Sequence, residues 1–262
     1  MNNIFIEGLQ GMGKSTLLQK LSEKYPSYHV YREGDYCPIE LAWCSYMTKS
    51  EYDSALEKFS SLSEEMKKWT VKEEENYIVM YTRILTDAPG FHKYMEQYEI
   101  YNGRRTFSEF KDIILKRYQN IPLNGGSIFE CAFFQNIVED LILFHQLTDD
   151  QISQFYKELF SVISNHNFML FYLYEENVEE VLTQISNERC DEVGNKLWLQ
   201  LMLSYLEESP YGKRHKLKGF EGLLEHLKHR QKLELRILQE LPENHVIVLP
   251  AKKYTDEQVI IR

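Results

Sequence analysis

The chain has no apolar run near the roughly 20 residues that a bilayer-spanning helix needs, so no membrane segment is expected. Its opening residues, MNN, carry no positive charge, and a lysine soon interrupts the apolar run that follows; no signal peptide is expected either. Cysteine is scarce. Cys37, Cys44, Cys131 and Cys190 lie far apart with no C-x-x-C pair, which argues against a disulfide framework or a zinc site and suits the reduced thiols of a cytoplasmic protein. Positive charge is also short, with 30 Lys and Arg against 40 Asp and Glu. A net charge of −10 supplies no general cationic field for a polyanion, so nucleic acid is not an expected partner. Any anion must be caught locally. Internal repeats, low-complexity tracts and domain linkers are absent as well.

What is present is a globular composition. The 262 residues are 43% apolar and 13% aromatic, with 18 tyrosines, enough to bury a large core as one domain or one domain carrying an insertion. Asn3 to Glu7 reads as a strand bounded by Gly8, and Lys14 to Lys24 as a helix with Leu17, Leu18 and Leu21 on one face. YHVYRE (28–33), SIFE (127–130, after the turn NGG), FMLFYLY (168–174) and HVIVLP (245–250) supply four further strands. FMLFYLY is continuously apolar, as in a parallel sheet covered on both faces. Helices are expected at about 132–146, 149–165, 176–189, 195–208 and 217–241, and EQVIIR is one more short element. The aromatic-rich stretch 39–120 reads as helical, with breaks near Lys49–Ser50, DAPG (87–90) and NGRR (102–105), and as an insertion beside the active face. Alternating strands and helices indicate an α/β fold with a mainly parallel five-stranded sheet and helices on both faces.

Between the first strand and first helix lies GLQGMGKS, a complete G-x-x-x-x-G-K-[ST] P-loop, or Walker A motif. A random chain of this length would match it about one time in a hundred, and the flanking strand and helix are the context that the motif requires. The backbone N–H groups of Gly8, Gly11, Met12, Gly13, Lys14, Ser15 and Thr16 are the candidate phosphate cradle, with the helix adding its positive end. Lys14 is placed to reach the β- and γ-phosphates, and the Ser15 hydroxyl to ligate Mg2+. The motif and the element order together predict a P-loop NTPase sandwich of three layers that binds ATP or GTP with Mg2+.

FIEGLQGMGKST resembles the opening of thymidylate kinases and, less closely, of deoxynucleoside kinases. REGD (32–35) resembles the Arg-Glu-Pro stretch of the former and the glutamate that the latter carry there. IFECAFFQN (128–136), FYLYEENVEEVLTQISNERCDE and the last long helix with its terminal strand also follow the element order of these kinases. The likeness in order covers most of the chain, but only the P-loop is a specific motif. Gln10 stands where thymidylate kinases usually have aspartate, REGD lacks the proline, and Cys131 replaces the arginine usual in both families. The resemblance implies a kinase scaffold and a lid at about 186–217 carrying Arg189, with the acceptor left open among a nucleoside, a nucleotide and an unrelated small alcohol.

The metal needs a second acid at a strand end beside the P-loop. Glu130 fits that position, against the alternative that it merely caps the next helix. Glu175 and Glu176 also end a strand, but capping explains them better. Glu33, with Asp35 in reserve, lies at the carboxyl edge where open α/β sheets bind ligands, and is the candidate to orient an acceptor hydroxyl. Arg32 is a candidate acceptor-phosphate clamp. The P-loop holds no arginine, so a closing cation must come from elsewhere: Arg189, or Arg214 within the basic cluster YGKRHKLKG. That cluster reads equally as a solvated helix connection. Trp43, Tyr46, Phe133, Phe134 and Gln135 are acceptor-pocket candidates whose spacing also fits core packing.

The reading is therefore an ATP-dependent phosphotransferase acting on a small-molecule acceptor. The alternative is a nucleotide-binding regulatory or interaction protein without phosphoryl transfer, which an exposed apolar face on the 39–120 block would favour. Donor nucleotide preference and oligomeric state, a homodimer included, stay open at this level.

Overall fold

The structure is a computed structural model that describes residues 2–121 and 125–259. Asn124 of the expected NGG turn and the last three residues of EQVIIR lie outside the described residues. The chain begins with β1 (Asn3–Gly8), α1 (Lys14–Lys24) and β2 (His29–Tyr31). It continues with β3 (Ser45–Thr48), α2 (Lys49–Lys58), α3 (Ser63–Lys68), β4 (Thr70–Glu73), β5 (Asn76–Val79), α4 (Phe91–Glu96) and α5 (Phe107–Tyr118). It ends with β6 (Ser127–Glu130), α6 (Gln135–Leu143), α7 (Asp149–Ile163), β7 (Phe168–Tyr174), α8 (Val178–Glu188), α9 (Leu197–Glu208), α10 (Pro210–His215), α11 (Gly219–Gln239) and β8 (Val246–Pro250). Among the described residues no helix is long and apolar enough to cross a membrane.

Two compact units result: Met1–Val30 with Pro122–Arg262, and Tyr31–Ile121. The first is α/β, with a five-stranded sheet in the order β2-β6-β1-β7-β8 flanked by helices. β1 runs parallel to β6 with Ile6 opposite Glu130, and parallel to β7 with Gly8 opposite Leu173; β7 runs parallel to β8. Every residue of β1 is buried, Asn3 and Glu7 included, around the apolar centre Ile4, Phe5 and Ile6. Phe5 anchors this core, its ring 5.2 Å from Phe129, 5.5 Å from Phe133 and 6.0 Å from Phe168. The chain leaves β1 for β2 at one edge of the sheet, then later passes from β6 on one side of β1 to β7 on the other. In open parallel sheets, ligands bind outside the carboxyl ends of the strands at such a reversal. Gly8 and Glu130 end the strands there.

The second unit corrects the sequence expectation. The stretch 39–120 is not a set of helices alone: it holds an antiparallel sheet in the order β3-β5-β4 together with α2, α3, α4 and α5. β4 and β5 form a hairpin closed by Glu74 and Glu75, with Glu74 at φ 48°. Such tight turns usually carry Asn or Gly, so the two glutamates hide the hairpin from a sequence reading. Met47, Tyr52, Met66, Val79, Phe91 and Met95 are buried together in its core. Capping boxes at Thr48/Glu51 and Thr106/Glu109 start α2 and α5. β2 is also shorter than expected, three residues rather than six, so Arg32, Glu33 and Asp35 lie beyond it.

Candidate functional site

Residues 9–13 form the loop between β1 and α1, which needs its glycines and Gly8 at the end of β1. Gly8 has φ 136°, and a Cβ there would lie 2.5 Å from the Leu173 carbonyl oxygen on the paired strand. Gly11 has φ 85° and faces the Val181 and Ile185 side chains of α8. No other residue type fits either position without displacing its neighbours. α1 begins without a side-chain cap and without an acid in its first turn. Its first N–H groups and the positive end of its dipole therefore meet no competing carboxylate from the helix itself. Met12 is buried beneath the loop, whereas Ser15 and Thr16 are exposed. The Lys14 ammonium donates to the Gly8 carbonyl at 2.8 Å and to the Leu9 carbonyl at 2.9 Å.

Two expected metal residues meet. Ser15 Oγ donates to Glu130 Oε1 at 2.6 Å, joining the start of α1 to the end of β6. Among the described residues no group of three or more His, Cys, Asp or Glu could hold a metal ion. A single hydroxyl and a single carboxylate are nevertheless a fitting protein set for Mg2+, which keeps several waters and takes oxygen from phosphates.

The sequence reading missed an acid next to the loop. Glu7, on β1, is fully buried, and its carboxyl oxygens accept from Phe133 N at 2.6 Å and from Gln135 N at 3.3 Å. Desolvation pushes its pKa up to about 8, opposed by the hydrogen bond from Phe133 and raised further by Glu234 nearby. An acid closing an apolar strand carries no local sign that it will be buried.

Arg230 on α11 was missed as well. It is fully buried; Nε donates to Glu234 Oε1 at 2.8 Å, and Nη1 donates to Glu139 and, at 3.3 Å, to Gln10 Oε1 of the loop. Tyr172 OH completes the shell of Glu234 at 2.7 Å, and His226 Nε2 lies 2.7 Å from Glu139. Burial works against the charge on Glu139, but His226 and Arg230 outweigh it and bring its pKa down to about 2.

The other candidates are scattered. Arg189, at the end of α8, is exposed and stacks over Trp198 at 5.2 Å. Arg214 is exposed in the last turn of α10, a short helix capped by Ser209. The basic cluster thus includes a regular helical turn whose cations suit a helix C-terminus. Phe133 and Phe134 are fully buried core residues, and Phe134 lies against Tyr156 and Tyr172. Gln135 is buried and accepts from Cys131 Sγ at 3.5 Å. Glu175 accepts from the N–H groups of Glu176 and Asn177, as a helix-start acid does.

The remaining candidates belong to the second unit. Glu33 accepts from Trp43 Nε1 at 3.3 Å, Asp35 pairs with Arg83, and Arg32 is exposed. Trp43 is half exposed with φ 64°, and the Tyr46 carbonyl accepts from Arg105. Close to Glu33 in sequence, Glu40 is buried and its pKa rises to about 7, chiefly through desolvation.

No protein-family model matches the chain, and no curated protein matches its sequence.

Proposed function

We propose that the chain is an ATP- and Mg2+-dependent phosphotransferase of the P-loop nucleoside/nucleotide kinase type, acting on a small acceptor. The observation that carries this reading is the 2.6 Å contact of Ser15 Oγ with Glu130 Oε1, directly beside a loop of G-x-x-x-x-G-K-S pattern. Phosphoryl transfer asks for positioning and charge neutralisation more than for covalent chemistry by the protein. Backbone N–H groups from Gly11 to Thr16 cradle phosphate oxygens in this reading, and the uncapped start of α1 favours their negative charge. Lys14 exchanges its bonds to the Gly8 and Leu9 carbonyls for phosphate oxygens. Ser15 and Glu130 would hold Mg2+, which supplies charge neutralisation at the donor phosphates. Arg189 and Arg214 are the candidate closing cations.

A coupled assay of ADP release with ATP and Mg2+ tests the reading, run against pooled nucleosides, nucleoside monophosphates and small alcohols. Acceptor-dependent turnover that disappears in Lys14→Ala is the expected result.

A second reading, a nucleotide-binding interaction protein, is favoured by α9. Leu197 and Leu201 stand 56% and 70% exposed one helical turn apart, and Val193, just before the helix, is 85% exposed. ATP binding without acceptor-stimulated turnover would move the balance to it. In the 39–120 block, where such a face would have favoured this reading, Trp43 and Leu85 are the large exposed apolar residues among those described.

A further inference from the structure

We propose that Glu7 is a positioning residue of the phosphate site, holding through backbone hydrogen bonds the turn that presents Glu130 to Ser15. The inference rests on the phosphotransferase reading and deepens it.

The argument begins with what α6 lacks. Its N-terminal boundary is Phe134, no side chain of the helix start caps it, and its first turn carries no acid. The preceding residues, Ala132 and Phe133, offer no side-chain acceptor either. Free N–H groups at a buried helix start are costly, so an acceptor must come from elsewhere. It comes from β1: Glu7 Oε1 takes Phe133 N at 2.6 Å, and Oε2 takes Gln135 N at 3.3 Å.

The segment so held is the one that follows Glu130. Cys131 donates its N–H to the Ile6 carbonyl at 3.1 Å and turns the chain with φ 59°, a left-handed conformation that a cysteine rarely adopts. Phe133 is fixed from both sides, its N–H by Glu7 and its carbonyl by Tyr156 OH at 2.7 Å. A strained residue persists only where its surroundings over-determine it. Here those surroundings are Ile6 and Glu7, the two residues that lead directly into the glycine loop. One buried carboxyl group thus registers the loop strand against the strand end that carries Glu130. The charged groups facing Glu7 are Lys14 from α1 and Glu234 from α11, the latter paired with Arg230 and Tyr172.

The test is a binding comparison rather than a turnover assay. ATP affinity is measured by calorimetry in EDTA and in Mg2+ for wild type, Glu7→Gln and Glu130→Gln, with a thermal melt of each. In Glu7→Gln an amide NH2 replaces one acceptor oxygen facing an N–H donor, which disturbs the turn while leaving the glycine loop intact. The expected result is unchanged affinity in EDTA, with the Mg2+-dependent gain reduced about tenfold, the order seen when a partner behind a metal ligand is removed. Glu130→Gln should show a loss at least as large. A lowered melting temperature with the full Mg2+-dependent gain retained would reduce Glu7 to a structural role and overturn the proposal. If Glu7→Gln does not fold, Glu7→Asp, one methylene shorter, is read by the same comparison and against the same criterion. Wild type that binds no ATP under either condition would instead overturn the phosphotransferase reading, and this inference with it.

Discussion

Arg230 Nη1 donates to Gln10 Oε1 at 3.3 Å, so a fully buried guanidinium on α11 reaches into the loop between β1 and α1. The same guanidinium is already matched by two carboxylates, Glu139 and Glu234. A neutral acceptor suits that electrostatic balance. An aspartate at position 10 would add a third negative charge around one arginine. The neutral side chain at Gln10 therefore has a local physical reason.

Arg230→Met removes the cation and leaves Glu139 and Glu234 buried without it. Breaking a buried ion pair from one side costs about 3–5 kcal/mol, far more than the pair itself contributes. Urea denaturation should show that loss. Adding Glu139→Gln and Glu234→Gln to Arg230→Met should recover a large part of it, because the uncompensated charges are gone.

Glycine requirements separate two positions with similar backbone handedness. Gly8→Ala places a Cβ 2.5 Å from the Leu173 carbonyl oxygen, where only the paired backbone of β7 could yield. Gly90 also has positive φ, 74°, but a Cβ there meets nothing within 4 Å. Gly90→Ala should cost about 1–2 kcal/mol, the ordinary left-handed penalty. Gly8→Ala should cost more than this, and equal losses in denaturant midpoint would show that β1 and β7 can separate freely.

Stability should fall as pH rises through neutrality. The folded chain holds a proton on Glu7 up to about pH 8, while the unfolded chain releases it near the ordinary value of 4.5. Between those values the folded state binds the extra proton, so this contribution is complete below about pH 4.5 and is lost by about pH 8, at up to about 1.4 kcal/mol per unit. Glu40, pushed up to about 7, acts in the same direction. Glu139 acts oppositely: its pKa of about 2 means that its contribution is present above the ordinary value and disappears as pH falls through 2. Denaturation of wild type and Glu7→Gln at pH 5.5, 6.5, 7.5 and 8.5 (values on the order of one unit apart) isolates Glu7. The variant should show the shallower decline; parallel curves would mean that Glu7 stays ionised in the folded chain.

Local signals sufficed for the elements that build the loop. Ser127–Glu130 and Phe168–Tyr174 are strands over the very residues that the apolar runs indicate, and α1 buries Leu17, Leu18 and Leu21 as its period implies. The glycine spacing, together with Lys14 and Ser15, is a pattern of adjacent residues and is legible as such. Even the meeting of Ser15 with Glu130 was readable, because an acid ending an apolar strand has few places to go in a parallel sheet.

Tertiary structure decided the rest, and the reason is distance along the chain. Glu7 is an acceptor for groups 126 and 128 residues away, and Arg230 bonds a residue 220 positions before it. Burial and hydrogen-bond partners of this kind exist only once β1, β6 and α11 have packed, so no short window of sequence carries them. The hairpin of β4 and β5 is the reverse case, a local element whose usual turn residues are missing and whose strands pair all the same, because Ile78 and Val79 are buried there. The sequence by itself determined the loop and the strands around it; packing determined which buried acid and which buried arginine stand behind that loop.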